Sequence, residues 1–286
     1  MQIFIDNVHI LPKESHQEAF DLGCQIKRWL EQKQVRSSIY SNEDWSNCLL
    51  GKDQFGPDLL LVLGGDGTIL SVVGKLHNPE VPVLGFNFGH VGFLTELDPD
   101  HWEQDMQQVL QNKFSISERL LLNYQLIRQE RIIRQGSFIN DLVVGRGSLA
   151  RLIDLTLWSG EDKITDLRAD GLIASTPLGS TAYSLAAGGP LISPELDVME
   201  ICPVCPFLND MRPIVLPASA EITIRVESSL QGEFLTLDGQ TGIDLISGDK
   251  IKIEKSSKKL QLVQLGKSSY IQKLRSKGYI TPRKCK

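Results

Sequence analysis

The apolar positions of this chain follow two different periods. Over residues 15–31 they fall at Ala19, Leu22, Ile26, Trp29 and Leu30, the stripe of one helix face. Asp58-Leu59-Leu60-Leu61-Val62-Leu63 reads as an unbroken apolar strand buried on both faces, as in a parallel sheet. A glycine turn follows, then a predicted helix from residue 68 to about 76, then a second apolar strand over 81–86. Strand, helix and strand in such a short span make a βαβ unit. Ile3 and Ile5 predict a short opening strand, and a helix over about 99–112 closes the region. Beyond it the period drops to two. Ile153, Leu155 and Leu157 alternate with Asp154, Thr156 and Trp158; Ile222, Ile224 and Val226 alternate with Thr223, Arg225 and Glu227; Ile251 and Ile253 alternate with Lys252 and Glu254. Turn residues such as Asp238-Gly239 and Ser247-Gly248-Asp249 separate these runs, so an antiparallel sheet system is expected. Residues 268–278 read as a helix again, with Tyr270, Ile271 and Leu274 on one face.

Length agrees with two domains: 286 residues, at roughly 150 per domain. The change of period puts an α/β domain over 1–105 and an all-β domain over 106–265, with a closing segment over 266–286. Composition is that of a globular chain, 41% hydrophobic and 23% charged. The net charge of −5 argues against binding nucleic acid or anionic membrane by bulk electrostatics, and leaves room for a local phosphate pocket. No apolar run reaches the length of a membrane span, and the N-terminus lacks a signal-peptide pattern. Five scattered cysteines suit a reducing cytoplasm better than a disulfide framework. Cys202-Pro203-Val204-Cys205 has the spacing of a metal or redox pair, but no second pair lies at zinc-site spacing, and two partly buried thiols are expected.

The candidate chemistry gathers in four segments. Gly64-Gly65-Asp66-Gly67-Thr68 stands just beyond the carboxyl end of the buried strand, where an open α/β sheet binds ligands. Its glycines allow positive φ and close approach, and the following helix N-terminus favours phosphate. A carboxylate in that setting suits phosphoryl transfer, where it positions a hydroxyl nucleophile or supports Mg²⁺. The alternative is a helix-capping turn with Asp66 solvated. The Asn87–Leu94 segment, with Gly89 and Gly92, follows the next strand; His90 within it is a candidate base or a surface residue. The 170–184 segment is too rich in glycine and small hydroxyls for ordinary β-domain core. Ser175, Thr176, Ser180, Thr181 and Ser184 offer neutral hydrogen bonds and Tyr183 a stacking face, as a nucleoside needs, or they decorate a loop. Asn140-Asp141 pairs an amide with an acid, fit to read ribose hydroxyls or to make a turn.

Together these segments resemble the NAD kinase family. The resemblance runs through Gly64–Thr68, Asn87–Leu94, Asn140-Asp141, Asp170-Gly171-Leu172, Ser175-Thr176-Pro177, Gly179–Tyr183, Cys205-Pro206, Arg212–Val215 and Asp238-Gly239-Gln240, in family order, with Ser269–Arg275 similar to the terminal helix. It implies transfer of the γ-phosphoryl of ATP to the 2′-hydroxyl of the adenosine ribose of NAD. Asp66 would be the catalytic residue, orienting that hydroxyl or taking its proton. Gly64, Gly65, Gly67 and Thr68 would cradle phosphates, and Mg²⁺ would arrive with ATP rather than on a protein metal site. Asp66, Gly67, Asn140, Asp141, Asp170, Thr181, Ala182, Tyr183, Ser184 and Gln240 would bind NAD, with Phe88 as an apolar wall. Arg168 would pair with an acid or a pyrophosphate and favour NAD over NADH. The resemblance further implies a Rossmann-like α/β domain, a β-sandwich domain, a C-terminal helix packed back on the first domain, and cytoplasmic homodimers or homotetramers. The chain departs from the pattern in four places. Asp141 stands where the family usually has Glu, Leu178 replaces a common Thr, Phe207 a common His, and the opening strand lacks the usual residues. The rivals are a lipid kinase sharing the Gly-Gly-Asp-Gly-Thr box and a non-catalytic NAD sensor. The donor could also be polyphosphate.

Overall fold

The structure is a computed structural model. It describes residues 4–40, 56–76, 80–89, 92–95, 97–147, 152–208, 210–228, 232–266 and 269–281. Ile3, Cys48, His90 and Cys285 lie outside these residues. The chain divides into two compact units, Met1–Glu118 with Leu260–Lys286, and Arg119–Lys259. The change of hydrophobic period by itself puts the divisions near 105 and 265.

The first unit contains β1 (Asn7–Pro12), α1 (Gln17–Gln32), β2 (Arg36–Ile39), β3 (Leu59–Leu63), α2 (Asp66–Val73), β4 (Val83–Phe86) and, after a 3-10 turn, α3 (Trp102–Leu110). The strands are parallel in the order β2-β1-β3-β4. All five residues of β3 are fully buried, which the unbroken apolar run requires of an inner strand covered on both faces. Helix α1 buries Ala19, Leu22, Ile26 and Leu30, and its Trp29 meets Trp102 of α3 edge to face at 5.9 Å. The opening strand differs from expectation. Among the described residues it runs Asn7–Pro12, with Ile5 ahead of it, and two of its buried positions are polar. Asn7 and His9 are buried beside each other along with Val8, Ile10 and Leu11, and Asn7 Nδ2 donates to the Gly56 carbonyl at 3.2 Å, so both faces of the strand are covered. Leu262 adds a parallel pairing to Val83. The C-terminal helix, Tyr270–Ser276, starts with a capping box in which Ser269 and Gln272 bond each other's backbone N–H. Its inward face is not the expected one: Leu274 and Lys273 are buried and Ile271 is exposed.

The second unit is built from β5 (Ser115–Arg128), β6 (Arg131–Phe138), β7 (Asp141–Gly145), β8 (Ile153–Ser159), β9 (Asp162–Ala169), β10 (Gly171–Ser175), β11 (Val198–Val204), β12 (Ile214–Pro217), β13 (Ile222–Ser228), β14 (Phe234–Leu237), β15 (Thr241–Asp244) and β16 (Lys250–Gln264). One antiparallel sheet runs β12-β11-β10-β7-β14-β15. Against it lie β9, β8, β13 and the first residues of β16, paired in that order. Leu142, Leu172 and Ile201 of the first layer and Leu155, Ile222 and Ile251 of the second share one core. Period two does the sorting: alternate residues of each strand enter this core and the rest face away. Residues 171–175, expected to be too rich in glycine and hydroxyls for core, form the fully buried inner strand β10. Among the described residues no helix is long and apolar enough to cross a membrane.

Leu61 is central to β3 and has no exposed surface. Leu61→Ala should lower stability by about 2–5 kcal/mol through lost burial and a residual cavity. Denaturant unfolding reads this as a lower midpoint with an unchanged slope.

Candidate functional site

The Gly64–Thr68 turn places one carboxylate in a cradle of backbone. Strands β3 and β4 end side by side, Leu63 opposite Phe86, and the turn after β3 leads directly into α2, whose first residue is Asp66. Asp66 Oδ2 accepts the N–H of Phe93 at 2.7 Å. Its Oδ1 accepts the N–H groups of Leu94 at 3.1 Å and Thr95 at 3.0 Å, and the Thr95 hydroxyl at 3.0 Å. Four donors fix the carboxylate, and Oδ2, with one of them, keeps acceptor capacity for a ligand hydroxyl. None of Gly64, Gly65 and Gly67 has a positive φ, so their expected conformational role is replaced by one of space. A Cβ on Gly64 would stand 2.8 Å from Thr68 Cβ, whereas Gly67 faces open space. The Gly64 amide bonds Phe86 O and the Thr68 amide bonds Gly65 O, which fixes both ends of the turn. Gly92, not singled out from the sequence beyond its segment, is as constrained as the turn itself: a Cβ there would overlap the Asp66 carboxyl. Phe88 also lies in the first unit, with its ring 5.1 Å from that of His16.

The second unit carries a cavity of about 690 Å³ on the face of the β12–β15 sheet turned away from the core. The alternation that buries Leu142, Val144, Leu235 and Leu237 turns Asp141, Val143 and Gly145 of β7 outward, with Phe234 and Thr236 of β14 and Asp238 just beyond it beside them. Gly145 and Gly171 are paired across β7 and β10 and leave the floor open. The structure thus gathers five expected residues around one cavity: Asn140, Asp141, Asp170, Ala182 and Tyr183. Arg146 and Asp238 join them without having been expected. Arg146 grips Asp170 through Nε at 3.0 Å and Nη2 at 3.3 Å. Asp238 sits at φ 51° in the β14–β15 turn, and its carboxylate accepts the N–H groups of Ile139, Asn140 and Asp141. Asp238-Gly239 is so good a hairpin signal that the acid reads as turn chemistry alone. Arg146, beside a glycine at a strand end, has no sequence signal. Burial and the neighbouring Asp238 push the Asp141 carboxyl up to about 6, against the N–H of Tyr183 that it accepts. Burial also raises Asp238, opposed by its three backbone donors.

Other expected contacts are spent inside the protein. The Ser175 and Thr176 hydroxyls bond the carbonyls of Asn140 and Ile139, Ser180 bonds Pro177 O and Thr181 bonds Leu178 O. Ser184 is fully buried next to Glu200, whose carboxyl burial pushes up. These hydroxyls shape the loop that presents Ala182 and Tyr183. Gln240 is exposed at the tip of the β14–β15 hairpin. Arg168 lines a separate cavity, where it pairs with Asp154 at 3.5 Å; Phe207 shares that cavity, its N–H bonded to Arg168 O. Cys202 is buried and Cys205 exposed, rather than both partly buried.

Comparison with known proteins decides what this arrangement belongs to. Residues 8–114 match the ATP-NAD kinase N-terminal domain and residues 139–265 the ATP-NAD kinase C-terminal domain. The chain belongs to the NAD kinase family. It is 38% identical over 282 residues to an NAD kinase of Nitratidesulfovibrio vulgaris strain Miyazaki F, covering 98% of this chain and 99% of that one. It is 43% identical over 220 residues to an NAD kinase of Geotalea daltonii, covering 77% and 78%. Yeast NADH kinase complexed with NADH superposes with a TM-score of 0.86 at 27% identity, over 100% of this chain and 91% of that one. An Archaeoglobus fulgidus NAD kinase in complex with ATP shares the fold, with a TM-score of 0.73 at 24% identity over 94% and 99%.

The family departures have distinct settings. Asp141, shorter than the usual Glu, is close enough to accept the Tyr183 N–H. Leu178 is buried, so the lost hydroxyl is replaced by packing, while Phe207 is half exposed. The raised Asp141 pKa has a signed consequence. Its proton is held more tightly folded than unfolded, so this stabilising contribution is complete below about pH 4 and is lost as pH rises through about 6. Asp141→Asn should therefore gain stability over the parent between pH 4.5 and 7.5, by on the order of 2 kcal/mol. Parallel melting curves of the two proteins across that range, with no divergence, would contradict this.

Proposed function

We propose that the protein is an NAD kinase that transfers the γ-phosphoryl of ATP to the 2′-hydroxyl of the adenosine ribose of NAD, giving NADP and ADP. The observation that carries the reading is the Asp66 carboxylate, held at a strand end by Phe93, Leu94 and Thr95 with acceptor capacity left on Oδ2. In phosphoryl transfer the protein's work is positioning and electrostatics. Asp66 Oδ2 would accept the hydrogen bond of the attacking hydroxyl, orient its lone pair, and take the proton as the bond to phosphorus forms. The Gly65–Gly67 turn, with α2 behind it, would face the phosphates, and Gly64 and Thr68 would brace the turn. Mg²⁺ is expected to come bound to ATP and to offset charge on the phosphates. With Asp66 Oδ2 serving the hydroxyl, the cation's ligands would be phosphate oxygens and water.

The cavity of the second unit would take the NAD. Its size, its acids at Asp141, Asp170 and Asp238, and the half-exposed Tyr183 ring fit ribose hydroxyls and a flat base better than a lipid chain. Arg146 would hold Asp170 aimed, through the contacts of its Nε and Nη2. We take the enzyme to act in the cytoplasm as a homodimer or homotetramer, as the resemblance implies.

A coupled assay for NADP from NAD, ATP and Mg²⁺ tests the reading. Asp66→Asn should keep NAD binding within a few-fold and lower turnover by roughly 10² or more. A folded parent that forms no NADP, with ATP or with polyphosphate, would overturn the reading in favour of a sensor or a lipid kinase. In the same assay NAD should be used more efficiently than NADH, and Arg168→Gly should narrow that difference. Equal efficiency in the parent would remove the role of Arg168.

A further inference from the structure

The least expected buried side chain of the first unit is Lys273, on the C-terminal helix, only 8% exposed. Burying an ammonium is costly unless it is hydrogen-bonded, and an apolar residue beside Leu274 would pack the same face without that cost. Its Nζ donates to the Phe93 carbonyl at 3.1 Å. That carbonyl belongs to the peptide unit whose N–H, on Leu94, donates to Asp66 Oδ1. A peptide unit is planar, so holding its C=O fixes the direction of its N–H, and a cation on the oxygen polarises the unit into a stronger donor. The same helix and the residues after it also hold the Phe93 side chain. Lys277 Nζ lies 5.0 Å from the ring centre, the Tyr279 ring stacks at 6.0 Å, and the Tyr270 ring approaches at 6.2 Å. Phe93 in turn gives its N–H to Asp66 Oδ2 at 2.7 Å, the shortest bond of the cradle.

We propose that Lys273 is a positioning residue for Asp66: through the Phe93–Leu94 peptide it sets the orientation of the carboxylate that handles the acceptor hydroxyl. The C-terminal helix is then part of the catalytic apparatus. This rests on the proposed role of Asp66 in NAD phosphorylation. The competing account is that Lys273 only fastens the helix, and the two differ in what they do to turnover per folded molecule.

The test is Lys273→Met, which keeps the stem and its packing and loses the donor, with Lys273→Gln, which keeps a polar end too short to reach Phe93 O, and Lys273→Arg, which restores a cationic donor. All are assayed for NADP formation beside the parent, with the folded fraction measured by thermal unfolding. Lys273→Met and Lys273→Gln are expected to lower kcat by roughly tenfold to a hundredfold, as a small misplacement of a reacting group does, with KM for NAD and ATP changed less than threefold. Lys273→Arg should recover most of the loss. Should Lys273→Met not fold, Lys273→Gln decides alone. Unchanged kcat per folded molecule in a variant that lacks the hydrogen bond would overturn the inference, as would a loss confined to melting temperature or to KM. A folded parent that makes no NADP would instead overturn the kinase reading, and this inference with it.

Discussion

The structure depends on a carboxylate that has been given to the backbone. Asp66 takes three consecutive N–H groups and one hydroxyl, which is possible only if two chain segments far apart in sequence arrive at the same level. Parallel pairing of β3 with β4 does this, since it ends both strands together and puts their following loops side by side. The glycines then act by what they leave out. Gly92 leaves room for the carboxyl, and Gly85, next to Ile69 and Thr95, lets α2 and the cradle close on the sheet. The apolar β3 serves this end as much as stability, because a rigid strand end fixes where the first turn of α2 begins.

The second unit reaches a polar site by a different route. A sheet has two faces, and here one is spent on the core and the other on the cavity. Acids on the cavity face are expensive to bury. Asp238 is offset by three backbone donors and Asp170 by Arg146, while Asp141 accepts the Tyr183 N–H and is still pushed up to about 6 by burial and Asp238. The small hydroxyls of 175–181 complete the arrangement from below. By bonding Ile139, Asn140, Pro177 and Leu178 carbonyls they lock the loop that presents Ala182 and Tyr183, so the rigidity of the site comes from its hydroxyls.

The sequence by itself determined the two periods, and with them an α/β unit followed by an antiparallel one, because buried strands and amphipathic helices leave patterns that local order preserves. It also determined the motif residues Asp66, Asn140, Asp141, Asp170 and Tyr183, whose types and spacing resemble one family. Tertiary structure decided the rest. The burial of Asn7 and His9 in β1 depends on partners elsewhere in the chain. Lys273 faces inward where Ile271 was expected, since the position of the Phe93 carbonyl, some 180 residues earlier, selects it. Hydroxyls that look like ligand contacts turn out to hold backbone, and Arg146, Asp238 and Gly92 gain their meaning from atoms that only folding brings near. A hydrogen bond is a statement about distance and direction, and a one-dimensional pattern carries neither.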